Sequence, residues 1–205
     1  QSSLRALGNG QDMKKTISMV KKFRTQNDHT PIILMGYYNP ILQFGTQNFL
    51  QQCDLIGVDG LIVVDLPIEH DEELSRPAKE IGIDFINLVT PTTSPERLKN
   101  ILEVSSGFLY YVSIAGITGT KAPDIKNLQN IINKIKTYTD IPIGVGFGIK
   151  DSGQVKNISQ FSDAVVVGSA IVQKINNLKE QNLNDQDLVS SLTNYLLDLS
   201  SGLNT

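Results

Sequence analysis

The chain has 205 residues, 40% hydrophobic and 19% charged, with a formal net charge of -3; this suits one well-cored domain or two small ones. The slight negative charge and the scattered Lys and Arg speak against nucleic-acid binding, and no apolar run reaches the roughly 18 residues of a membrane span. A single cysteine, Cys53, and two histidines, His29 and His70, exclude an intrachain disulfide and a thiolate metal cluster and speak against a multi-histidine metal site, which fits a cytoplasmic protein with no metal.

The opening SSLRAL reads as a helix already under way, and the pairs Lys14–Lys15 and Lys21–Lys22 as solvated helix faces. Six short apolar, β-branched or aromatic runs follow: PIILMG, GLIVVDLP, FINLVTP, FLYYVS, IPIGVGFG and DAVVVGS. They are nearly continuous rather than alternating, as expected for parallel strands buried on both faces. Helix-like segments separate them: NFLQQCDLIG, DEELSRPAKEIG, SPERLKNILEVSSG, DIKNLQNIINKIKTYTD and SGQVKNISQFS. Ser94–Pro95–Glu96 places an N-cap and a first-turn proline at one helix start, and Gly82 and Gly107 suit helix ends. The tail from Asn176 reads as one or two closing helices. Strand starts recur at intervals approaching the ~31 residues expected when ~250 residues are shared by eight βα units. The series predicts an α/β fold, either a doubly wound sheet or a (β/α)8 TIM barrel. A barrel would hold six of its eight βα units here, as one domain over 1–205 that is incomplete at the N-terminus.

The last two runs both end in glycine, at Gly146–Phe147–Gly148 and at Gly168–Ser169. In barrel enzymes phosphate often sits beyond the final two strands. Glycine lets backbone approach an oxyanion closely, and a helix N-terminus offers unpaired N–H groups and a favourable dipole; Ser169 adds a hydroxyl. Charge-assisted hydrogen bonds contribute about 1.5–3 kcal/mol each. Three or four of them, set against the entropy of binding, hold a ligand in roughly the millimolar to micromolar range. The plainer reading is that these glycines only make tight turns.

The stretch YYVSIAGITGTKAP, with Ser113, Gly116, Thr118 and Gly119, exceeds the roughly two to six residues of an ordinary connection and suits a lid. Asp65 ends GLIVVD and is expected to face the strand exits, as a positioning carboxylate or a loop cap. Tyr110 lies within a strand and either lines the pocket or packs in the core. Asn39 and Pro40, in GYYNPILQFG, form a pocket rim or a protein contact surface.

Taken in order, LMGYYNPILQFG, GVDGLIVVDLPIEH, YYVSIAGITGT, GVGFGI and VVVGSAIV resemble the alpha subunit of tryptophan synthase over nearly the whole chain. The ordered set is far more specific than any one stretch, and QSSLRALGNG looks like the helix after the family's second strand. The resemblance implies a TIM barrel and retro-aldol cleavage of indole-3-glycerol phosphate to indole and glyceraldehyde 3-phosphate, in tryptophan biosynthesis. It implies no cofactor on this chain and a beta subunit, carrying pyridoxal phosphate, as partner in an alpha2beta2 complex. By resemblance Gly119, Gly148, Gly168 and Ser169 bind the substrate phosphate, while Phe147, Tyr110 and Ile62 line the pocket. Asp65 supports the catalytic carboxylate, Ser113, Gly116 and Thr118 belong to the closing loop, and Asn39 and Pro67 face the beta subunit.

One departure matters. Cleavage needs an acid to protonate the indole ring carbon and a base to take the glycerol hydroxyl proton. The family's Glu and Asp for these tasks are expected upstream of Gln1, and Asp59, Glu69 and Asp71 match neither position. The expectation is a truncated chain with negligible turnover of its own. A non-catalytic, phosphate-binding subunit that activates a beta partner is the alternative. A different phosphate barrel, such as an isoprenoid-glycerol-phosphate or thiamine-phosphate synthase, would be expected to carry metal or added basic residues that these loops lack.

Overall fold

A computed structural model describes residues 2–112, 124–146, 148–181 and 183–203. In chain order these form α1 (Ser2–Gly8), α2 (Met13–Arg24), β1 (Ile33–Gly36), α3 (Tyr38–Phe44), α4 (Thr46–Ile56), β2 (Gly60–Val63) and a 3-10 helix (Ile68–Glu73). There follow α5 (Ser75–Glu80), β3 (Asp84–Phe85), β4 (Leu88–Val89), α6 (Pro95–Val104) and β5 (Leu109–Val112). The remainder is α7 (Ile125–Lys136), β6 (Ile143–Gly146), α8 (Ser152–Ser159), β7 (Ala164–Val166), α9 (Ser169–Glu180) and α10 (Asp185–Ser201). Among the described residues no helix is long and apolar enough to cross a membrane.

The chain divides into two compact units, Gln1–Leu88 with Ser94–Leu109, and Val89–Thr93 with Tyr110–Thr205. In the first, β1, β2 and β3 form a sheet in that order, with β2 parallel to both neighbours. All four β2 residues are buried, which explains why its run lacks alternation. Helix α4 buries Phe49, Leu50, Cys53 and Ile56, the spacing of one helical stripe. These residues join Leu61, Val63, Leu74 and Ala78 in one apolar cluster. The second sheet has the order β4-β5-β6-β7, with β6 and β7 parallel. Around it α7 buries Leu128, Ile132 and Ile135, and α8 buries Val155 and Ile158.

The same bracket fixes strand starts in each unit. In the first, Asp59 Oδ2 accepts from the Ile32 amide and from Arg24 at the end of α2, both at 2.6 Å. In the second, Asp163 accepts from the Ile143 amide and from Lys136 at the end of α7, both at 2.9 Å. A last-turn cation, an aspartate before the next strand and the amide of the previous strand are thus tied together. Such pinning at the N-terminal ends leaves the C-terminal ends for turns that differ in sequence.

One expectation changes. FINLVTP, read as one strand, is split: Asp84–Phe85 closes the first sheet and Leu88–Val89 opens the second. The interruption has side-chain causes, because Ser106 Oγ accepts from the Phe85 amide at 2.8 Å and the buried Asn87 donates to Ser105 Oγ at 3.1 Å. The described residues therefore hold seven short strands rather than six. GYYNPILQFG contains α3, with Pro40 in its first turn, where a missing N–H costs nothing. The capping signals held their positions: Ser94 accepts from the Arg97 amide at 3.2 Å with Pro95 opening α6, and Gly82 and Gly107 have positive φ.

Candidate functional site

Strands β6 and β7 pair Gly144 with Ala164, Val145 with Val165 and Gly146 with Val166. Gly148 and Gly168 each stand two residues beyond the last pair, past the ends of β6 and β7. Gly148 has φ 65°, a left-handed conformation that favours glycine. Gly168 precedes α9 and gives its first turn no side-chain cap, so Ser169 opens a helix whose leading N–H groups are not taken up by a cap residue. A Cβ added at Gly148 or Gly168 would meet no atom within 4 Å. Both glycines and Ser169 are exposed. The turn after Gly148 is held from within: Ile149 is buried, the Lys150 amide donates to Gln154 Oε1 at 2.7 Å, and Asp151 accepts from the Gln154 amide at 2.8 Å.

Tyr110, half-buried in β5, lays its ring against Gly146. A Cβ there would come within 2.6 Å of the phenol oxygen and 2.7 Å of Cε2, so the ring occupies the space a side chain would fill. Burial pushes the Tyr110 phenol above its ordinary pKa, which keeps it protonated as a donor. Ser113, Gly116, Thr118, Gly119 and Phe147 lie outside the described residues.

In the first unit Ile62 is buried in β2 and lines a cavity of about 440 Å³ with Leu34, Gly36, Phe49 and Thr16. Asp65 sits just past β2, exposed, and its Oδ1 accepts from the Tyr38 amide at 2.7 Å. One carboxylate oxygen therefore holds the start of α3, where Tyr37 supplies no side-chain cap. Asn39 is exposed in the first turn of α3, and exposed Pro67 accepts from the His70 amide at 2.9 Å as the 3-10 helix begins. Nearby acids are already paired. Glu69 meets Arg97 at 2.6 Å and lies below the ordinary carboxylate range because of that bond. Glu73 is lowered first by the Tyr38 phenol and then by His70, whose Nδ1 lies 2.7 Å away.

Gly148, Gly168 and Ser169 thus follow the C-terminal ends of β6 and β7, and Tyr110 lies against Gly146 at the end of β6. Ile62, Asp65, Asn39 and Pro67 group around β1, β2 and α3. Tyr38, Glu73 and Tyr195 were not singled out by sequence. Tyr38 meets Asp65 across 27 residues and Tyr195 meets Lys150 across 45, so no local pattern marks these two, whereas Glu73 pairs with His70 only three residues away.

Parallel strands alternating with helices, with glycine at the exits of the last two, define an α/β protein of the (β/α)8-barrel class. The family model described as tryptophan synthase alpha chain matches residues 1–197. Among solved structures, tryptophan synthase subunit alpha from Legionella pneumophila str. Paris is 34% identical with a TM-score of 0.88, over 98% of this chain and 72% of that one. The tryptophan synthase A-subunit from Pyrococcus furiosus is 35% identical with a TM-score of 0.82, over 97% of this chain and 77% of that one. A chain of the tryptophan synthase a2b2 complex from Pyrococcus furiosus is also 35% identical, with a TM-score of 0.84 and the same coverage, 97% and 77%. The chain belongs to the tryptophan synthase alpha chain family, lyases of tryptophan biosynthesis.

Proposed function

We propose that this chain binds indole-3-glycerol phosphate, with the phosphate on the backbone amides of Gly148, Gly168 and Ser169 and the Ser169 hydroxyl. In the complete catalytic arrangement the substrate is cleaved to indole and glyceraldehyde 3-phosphate. The observation that supports the site is the β6–β7 register. Each of the two paired strands is followed within two residues by an open glycine, and one of these leads directly into a twelve-residue helix. Backbone donors and a helix dipole favour an anion there without a basic side chain. By resemblance to the family Gly119 joins the phosphate contacts, while Tyr110 and Phe147 line the remainder of the pocket.

Cleavage requires an acid and a base in named positions. Glu69 and Glu73 do not suit the acid's role, because their partners push both carboxyls down, whereas an acid working near neutrality is tuned upward. Asp65 spends one oxygen on the Tyr38 amide and is proposed as a supporting group. We further propose that the 205 residues by themselves bind ligand and release no indole. The proposed partner is a beta subunit carrying pyridoxal phosphate, docked on the side that presents Asn39 and Pro67.

Calorimetric titration of the chain with glycerol 3-phosphate tests the binding claim. Binding in roughly the millimolar to micromolar range is expected, with loss of affinity in Gly168→Val, whose side chain obstructs backbone approach at a position where an added Cβ has open space. Equal affinity in that variant overturns the phosphate assignment, and indole release by the isolated chain overturns the claim of binding without turnover.

A further inference from the structure

The phosphate site proposed above is made of two turns that belong to different βα units, and its amides bind one anion only if their separation is held. One side chain contacts both units. Tyr195, in the middle of α10, donates its hydroxyl to the Lys150 carbonyl at 2.8 Å, two residues beyond Gly148. The face of the same ring receives the Lys174 ammonium of α9 at 5.8 Å from its centroid, within the range of a cation–π contact. Helix α9 begins with Gly168 and Ser169, so Tyr195 touches the turn that carries one half of the site and the helix that carries the other.

We propose that Tyr195 is a positioning residue that sets the spacing of the Gly148 and Gly168 turns, an inference that rests on the phosphate reading. The Lys150 residue is gripped at both ends of its peptide chemistry: its amide by Gln154 at 2.7 Å and its carbonyl by Tyr195. Helix α10 is itself seated firmly enough to serve as the reference. A Cβ at Gly202 would run into the Ser152 carbonyl and would lie 3.0 Å from the Lys156 amide, so the end of α10 lies directly on the first turns of α8. The Tyr195 and Lys174 side chains are half-buried, which limits the rotamers available to either. Binding sites built from several donors lose affinity steeply when one donor shifts, because hydrogen bonds weaken outside a narrow range of distance and angle.

Tyr195→Phe removes the hydroxyl and leaves the ring beneath Lys174. In the full chain the dissociation constant for glycerol 3-phosphate is expected to rise about three- to tenfold, with the thermal midpoint lowered by no more than the about 2–4 °C that one hydrogen bond is worth. Lys174→Met is expected to raise it about two- to fivefold by the other contact. Amide exchange at Gly148 and Lys150 should quicken in Tyr195→Phe while that of the β6 core does not. Gly168→Val serves as the control for the site. If Gly168→Val loses affinity and both Tyr195→Phe and Lys174→Met bind as tightly as the parent, the positioning role is overturned and the phosphate site stands. If Gly168→Val binds normally, both fall together. A loss of affinity in Tyr195→Phe that tracks a general fall in thermal midpoint overturns the proposal in favour of plain packing. If that variant does not fold, an unchanged dissociation constant in Lys174→Met has the same effect.

Discussion

Replacing Gly146 by alanine puts a methyl group where the Tyr110 ring lies. The new Cβ would stand 2.6 Å from the phenol oxygen, 2.7 Å from Cε2 and 3.1 Å from Cζ, against the 3.5–4.0 Å of an ordinary carbon contact, so the ring must retreat by about 1 Å. Two effects of opposite sign compete. Alanine in a strand recovers about 0.5–1 kcal/mol of the backbone entropy that glycine loses on folding. Overpacking costs about 1–3 kcal/mol, and the clashing atoms are the far end of a side chain that has some room to move. Gly146→Ala alone is therefore expected to destabilise by about 0–2.5 kcal/mol. In a Tyr110→Ala background the clash is gone and the same substitution is expected to stabilise by about 0.5–1 kcal/mol. Urea unfolding of the four proteins, with midpoints and slopes compared, reads the coupling directly. A change that is the same in both backgrounds to within about 0.5 kcal/mol refutes the packing of Tyr110 on Gly146.

Two further outcomes follow from buried and paired groups. Burial tends to push the Asp163 carboxyl up, but the bonds from Lys136 and the Ile143 amide outweigh it and hold the group below its ordinary value. A carboxyl lowered in the folded state contributes stability that is present above its unfolded pKa of about 3.9 and is lost as pH falls through the lower folded value. Asp163→Asn should therefore cost about 0.2–1 kcal/mol at neutral pH, as for other exposed pairs, and should flatten the decline in stability below about pH 4; an acid limb as steep as the parent's contradicts this. Cys53 is fully buried, and burial pushes its thiol up to about 12, so an aromatic disulfide reagent should label it only in denaturant. Stoichiometric labelling of the folded chain contradicts that burial.

The parts of the fold that depend on neighbouring residues were legible in the sequence. Strand β2 announced itself because both of its faces are buried, and α6 because Ser94 and Pro95 cap and open it locally. The glycine exits at Gly148 and Gly168 were legible for the same reason, since each directly follows an apolar run. What escaped was decided at long range. FINLVTP looks like one strand, yet Asn87 turns to a serine 18 residues away and the ladder passes from one sheet to the other. Asp65 suggested a positioning carboxylate or a loop cap, and only the fold supplies its observed partner, the Tyr38 amide 27 residues away at the start of α3. Tyr195 sits in an Asn- and Leu-rich tail that reads as bland, and only the packing of α10 brings its hydroxyl to Lys150.

The most direct measurement is the backbone amide spectrum of the 205-residue chain during titration with glycerol 3-phosphate. The amides of Gly148 and Ser169 should shift together, along one saturation curve, while those at the strand starts near Asp59 and Asp163 stay still. Saturable binding that leaves either of those two amides unmoved, or no saturable binding at all, would contradict the convergence of the two turns on one phosphate.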